Sequence, residues 1–180
     1  MTVYVALFRG INVGGHHKLP MQDLRDILAA RGCEDVKTYI QSGNAVFKSP
    51  ETPIVLETEI RTAVAAKFGF APRVLILDAD QFRAIAAANP YSDAEETPAL
   101  LHVSFLEQTP AEPDLQSLQA ISLESEQFEL IGRAFYMHAP DGIARSKLAG
   151  RVEKALGVEA TGRNWRTVSK VLNLVSSIAQ

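Results

Sequence analysis

The sequence predicts an α+β fold made of two similar ferredoxin-like subdomains of βαββα type, packed together, with antiparallel or mixed sheets carrying helices on one face. Three observations lead there. The first roughly eighty residues alternate strand-period and helix-period apolar stretches in the order strand–helix–strand–strand–helix–strand. A second series opens near Leu100 and repeats that order without residue identity, with the last helix in place of a fourth strand. Between the two lies an acidic stretch that reads as a linker. The boundaries are therefore residues 1–90, a linker at 91–99, and a second subdomain at 100–180. A chain of 180 residues suits one domain or two small fused ones.

Element by element, Val3 to Phe8 reads as a buried strand. After a glycine-containing loop, Pro20 fits a helix start, Met21, Leu24, Ile27 and Leu28 form one apolar face, and Gly32 fits the stop. Asp35 to Gln41 and Ala45 to Lys48 make a hairpin about Ser42-Gly43-Asn44. Thr52 caps a helix whose Leu56, Ile60, Val64 and Phe68 step four at a time until Gly69. Arg73 to Leu77 is a strand, and Asp78 to Ala88 a helix closed by Asn89-Pro90. In the second half, strands are expected at Leu100–Leu106, Gln127–Ile131 and Ala134–His138, with a helix at Asp114–Ile121. Pro140-Asp-Gly142 introduces a helix with the face Leu148, Val152, Ala155 and Leu156, stopped by Gly157. A last helix starts at Asn164 and carries Val168, Val171, Leu172, Val175 and Ile178.

Composition narrows the function classes. Hydrophobic residues are 47 % and charged residues 22 %, a folded rather than disordered balance. The longest apolar runs, such as Val74–Leu77, are too short to cross a bilayer, and no secretory signal precedes Arg9. A single cysteine, Cys33, forms no internal disulfide, which fits a cytoplasmic protein. The net charge of −3 disfavours a polycation built for nucleic acid. Charge is nonetheless uneven: Tyr91–Glu129 holds nine acidic residues and no Lys or Arg, whereas Arg133–Lys170 holds eight basic residues against three acidic ones.

Three polar stretches carry what chemistry there is. Leu7–Lys18 follows a buried strand and gathers Arg9, Asn12, His16, His17 and Lys18 around three glycines. Gly10 and Gly15 have Walker A spacing, but His16 and His17 stand where Lys and Ser or Thr are required, so triphosphatase chemistry is unsupported. No G-x-G-x-x-G follows a strand, which disfavours a dinucleotide site. What remains is a loop of glycine N–H groups with Arg9 or Lys18 for charge, or simply a flexible connection. Gln41-Ser42-Gly43-Asn44 is turn chemistry first, and no nucleophile elbow surrounds Ser42. One Cys and four scattered His do not make a zinc site. Arg163-Asn164-Trp165-Arg166-Thr167 reads as a capped helix start flanked by cations, an arrangement that favours anions. Ser146-Lys147 adds donors ahead of it, with Lys147, Arg151 and Lys154 along one side, while Trp165 reads as core.

The stretches Leu7–Gly15, Thr38–Phe47, Asn89-Pro90-Tyr91, Ser146-Lys147-Leu148 and Thr161 with Arg163–Val168 together resemble the bacterial family catalogued as domain of unknown function 1697. They occur in the family's order over nearly the whole chain. The resemblance implies an α+β fold of two similar subdomains and no established activity. Its polar motif positions fall on Arg9, Asn12, Ser42, Asn44, Lys147, Arg163 and Asn164. Gly162 and Arg166 depart from the family's pattern, and both adjoin the expected anion site.

The expectation is a protein that binds a small phosphorylated or otherwise anionic metabolite, a nucleotide included, in a cleft between the subdomains. Arg9, Lys18, Lys147 and Arg163 would supply charge, with Asn12, Ser42, Asn44 and Asn164 orienting the ligand. An RNA-binding module and a scaffold without ligand are the alternatives. The sequence names no reaction, catalytic residue, cofactor or oligomeric state, and no membrane partner.

Overall fold

The structure is a computed structural model in which residues 1–178 are described. The chain forms two compact units. The first comprises Met1–Ala84 together with the residues from Ser169 onward, and the second comprises Ile85–Val168. The first unit runs β1 (Thr2–Arg9), α1 (Met21–Ala29), β2 (Glu34–Tyr39), β3 (Asn44–Ser49), α2 (Pro53–Phe68), β4 (Arg73–Asp78) and most of α3 (Ala79–Ala87). The second runs β5 (Leu101–Leu106), α4 (Leu115–Ile121), β6 (Gln127–Ile131), β7 (Ala134–His138), α5 (Val152–Leu156), β8 (Ala160–Asn164) and the start of α6 (Trp165–Ile178). The sheets order as β2-β3-β1-β4 and β6-β7-β5-β8, with every neighbouring pair antiparallel. Both are the ferredoxin-like arrangement that the sequence predicts.

Local signals explain the first unit closely. Thr52 Oγ1 accepts from Val55 N at 3.5 Å, Pro53 occupies the first helical position, and Gly69 closes α2 at φ +77°. Tyr4, Ala6 and Phe8 of β1, Ala45 and Phe47 of β3, and Val74 and Ile76 of β4 bury against Leu24, Ile27 and Leu28 of α1 and Leu56, Ile60 and Val64 of α2. Each Val, Leu, Ile or Phe side chain among them contributes about 1.5–3 kcal/mol. Strand side chains alternate, so Val5, Leu7, Val46 and Leu77 take the opposite face, where they too are buried. Lys37, in register with Val46, donates from Nζ to Ser177 Oγ at 2.9 Å and ties the last turns of α6 to that edge.

The second unit departs from the sequence reading in its last third. The helix expected after Gly142 is a 3-10 turn at Ile143–Arg145, then an irregular segment, then the five-residue α5. Leu148 is buried from that irregular segment, so its spacing with Val152, Ala155 and Leu156 imitates a helix face. The last helix does not replace a fourth strand but follows one, β8. That strand reads Ala-Thr-Gly-Arg-Asn and buries only Thr161, so it carries no apolar alternation. Its backbone pairing with β5 alone defines it. Among the described residues no helix is long and apolar enough to cross a membrane.

Candidate functional site

Two loops meet at one end of the first sheet. The loop after β1 is not a loose connection. Asn12 N donates to His17 O and His16 N donates to Val13 O, both at 3.1 Å, making a miniature hairpin. Gly14 and Gly15 are its two turn residues, with φ of +58° and +77°, values that a turn of mirror-image type requires and that glycine adopts without strain. Glycine here fixes a shape rather than supplying mobility. Of the loop N–H groups, those of Asn12 and His16 are spent within the hairpin.

Asn12 binds this hairpin to its surroundings. Its Nδ2 donates to Leu19 O at 2.9 Å and to Gln41 O at 2.7 Å, and its Oδ1 accepts from Leu19 N at 2.8 Å. Gln41 lies in the β2–β3 turn, so a single amide joins both loops. Asn44 is fully buried and donates to Tyr39 O at 2.9 Å and to Ser42 Oγ at 3.4 Å, closing the turn from inside. Gly43 donates its φ of +85° and its missing side chain: a Cβ there would fall 2.5 Å from Ile11 Cδ1 and 2.6 Å from Phe8 Cβ. Asn12 and Asn44 thus shape the site, whereas Ser42 is half-buried and Lys18 is exposed at its rim.

Beside the loops, Arg9, Gly10, His17, Ala71, Pro72 and Arg73 line an open depression of about 370 Å³. Arg9 ends β1 and Arg73 begins β4, and antiparallel pairing sets them directly opposite each other. Side chains at directly paired positions share one face of the sheet, so both guanidinium groups can turn toward one anion. Both arginines already have partners within the protein. His17 stacks on Phe70 at 4.6 Å between ring centroids, and its Nδ1 lies 3.2 Å from Gly10 O, which fixes the mouth of the depression.

Lys147, Arg163 and Asn164 belong to the second unit. Asn164 caps α6, its Oδ1 accepting from Thr167 N at 3.0 Å, as its place ahead of the helix predicts. Arg163 lies on β8 in register with Val103 and donates from Nη1 to Gly162 O at 2.8 Å. Burial draws its pKa down to about 10, which still leaves it charged at neutral pH. Lys147 is exposed on the segment before α5, and Trp165 is buried. The structure therefore gathers Arg9, Asn12, Lys18, Ser42 and Asn44 at one end of the first sheet, and Lys147, Arg163 and Asn164 stand in the other unit.

His102 shows a separate feature of the second sheet. It sits on β5 in register with Met137 and Asn164, and its Nε2 is buried without a hydrogen-bond partner. Burial pushes its pKa below the usual imidazole value, opposed in part by its bond to the Ala99 backbone. The folded state therefore binds this proton less readily than the unfolded chain. Stability from this group is complete above the unfolded pKa near 6.5 and falls as pH drops below it. Thermal melts from pH 7 to pH 5 should show a falling midpoint, and His102→Phe should flatten that fall.

Sequence reasoning missed Arg73 and Phe70. Arg73 was legible through topology: in a ferredoxin-like unit the end of the first strand meets the start of the fourth, which sets Arg9 against Arg73. Phe70 carried no such signal, because its part lies in a ring contact with His17.

Fold and site together define an α+β protein of paired ferredoxin-like units with a loop-built cationic depression on the first. The chain belongs to the family described as protein of unknown function, DUF1697, whose profile matches residues 1–136. Among solved structures it is similar to conserved bacterial protein SP0830 from Streptococcus pneumoniae, at 25 % identity and a TM-score of 0.73, over 97 % of this chain and 98 % of that one. No curated protein matches it.

Proposed function

We propose that the protein binds a small phosphorylated or otherwise anionic metabolite, and that the depression at Arg9 and Arg73 receives the anionic group. The observation that carries this reading is the cross-strand arginine pair lining a cavity with Gly10 and His17. Fixed loops support it, since a preorganised site loses little entropy on binding. Lys18 and Ser42 stand at the loops as further contacts. A buried lone cysteine is consistent with a cytoplasmic setting, and the shared element order of the two units is consistent with an internal duplication.

RNA recognition by the sheet finds less support. Stacking modules expose aromatic side chains on the sheet face away from the helices. In the first unit that face carries Val5, Leu7 and Val46, all buried, while Phe8 and Phe47 point into the helix-covered core.

Isothermal titration with inorganic phosphate at low salt tests the anion reading. Wild-type protein should bind, binding should weaken as salt is added, and Arg73→Met should lose tenfold to a hundredfold in affinity, from about 1.5–3 kcal/mol per charged hydrogen bond. Arg73 is exposed, so the variant should remain folded. Unchanged affinity in Arg73→Met would end the assignment.

A further inference from the structure

We propose that the anion held at Arg9 and Arg73 is the acidic end of an organic ligand whose apolar part rests on Val13 and Ile40; the inference rests on the anion reading above. Val13 is 65 % exposed and Ile40 is 48 % exposed, although the surrounding loops are otherwise polar. The two neighbour the partners of one hydrogen bond, Asn12 Nδ2 to Gln41 O at 2.7 Å. Backbone dimensions then keep Val13 and Ile40 within roughly 15 Å of each other, a span that one nucleotide-sized ligand covers.

Ile40 carries a second mark. Its φ is +50°, in the left-handed region that a β-branched side chain enters at a cost. Glycine or asparagine would sit there relaxed. The half-exposed side chain of Ile40 gives the fold little in return for that strain, and strained backbone with no packing role marks contact surfaces. Asn12 and His17 in the facing loop also have positive φ, at +55° and +49°. The cations Arg9, Lys18 and Arg73 and the apolar pair Val13 and Ile40 thus share one loop cluster. The chemistry that such a cluster recognises is a phosphomonoester or carboxylate bearing a planar or aliphatic substituent, not a bare oxyanion.

The test compares inorganic phosphate, phenyl phosphate and adenosine 5′-monophosphate by titration at fixed low salt. Wild-type protein should bind at least one organic probe tenfold or more tighter than inorganic phosphate. Val13→Ser and Ile40→Asn should reduce that probe to the affinity of inorganic phosphate while leaving inorganic phosphate itself unchanged. Asparagine keeps the left-handed backbone, so Ile40→Asn isolates the lost apolar surface. Equal affinity for all three probes in the wild type overturns this proposal alone, as does unaltered organic-probe binding in both variants. Loss of inorganic phosphate binding along with the organic probe also overturns it, since the side chains would then be shaping the loops. No binding by any probe overturns the anion reading and this inference with it.

Discussion

Gly43→Ala should lower the melting temperature by roughly 6–12 °C. The added methyl would lie 2.5 Å from Ile11 Cδ1 and 2.6 Å from Phe8 Cβ. Ile11 can turn its terminal carbon aside, but Phe8 Cβ is fixed to β1, and Phe8 N already donates to Gly43 O at 2.8 Å. Relief must come from separating the β2–β3 turn from β1. Overpacking of this kind costs about 1–3 kcal/mol, and an alanine at φ +85° adds about 1–2 kcal/mol. The sum, near 3 kcal/mol, converts at about 2–4 °C per kcal/mol for a chain of this size. Differential scanning calorimetry reads it directly. A change under 2 °C would mean that the turn shifts freely, and the rigid-loop account would fail.

Asn12 should be at least as costly a position as Gly43. Asn12→Ala removes two donated hydrogen bonds and one accepted one, and leaves Gln41 O, Leu19 O and Leu19 N to find water. At about 1 kcal/mol each the bonds account for about 3 kcal/mol, and alanine at φ +55° adds about 1 kcal/mol more. Asn12→Gly separates the two contributions, because glycine takes that backbone angle without strain. In urea unfolding, the glycine variant should lose about 2–3 kcal/mol and the alanine variant about 1 kcal/mol more, with the denaturant slope unchanged. Equal and small losses in both would show that the amide does not hold the loops together.

The legible part of the fold was the part written in apolar periodicity. Leu56, Ile60 and Val64 announce α2, and Thr52 and Gly69 announce its ends, so that helix was readable without tertiary information. β8 was not, because Ala160–Asn164 is an edge strand without apolar alternation, in which only Thr161 is buried and the pairing is a backbone affair. The site divides the same way. Arg9, Lys18 and Ser42 were visible as polar residues on loops after strands. Asn12 and Asn44 were visible as residue types, but their work as joints between loops depends on carbonyls 29 and 5 residues away in sequence. The glycine loop was readable as a site of special backbone angles, yet only the hydrogen bonds of Asn12 and His16 show that those angles build a hairpin.

Arg73 illustrates the remaining gap. It is an unremarkable strand-initial cation until the register sets it against Arg9, and the two then form the cross-strand pair on which the proposed anion site rests. Reading motifs along the chain favours loops with unusual composition. Reading the predicted topology finds pairs such as this one.

The most direct test of a preformed anion site on the first sheet is a titration of inorganic phosphate into ¹⁵N-labelled protein, followed by backbone amide and arginine side-chain resonances. The account predicts saturable shifts of the Gly10, His17, Ala71 and Arg73 amides and of the Arg9 and Arg73 side chains, fitting one dissociation constant. It would be contradicted by shifts confined to the cationic groove of Ser117, Arg151 and Lys154 between α4 and α5, with the Arg9 and Arg73 signals unmoved at saturating phosphate.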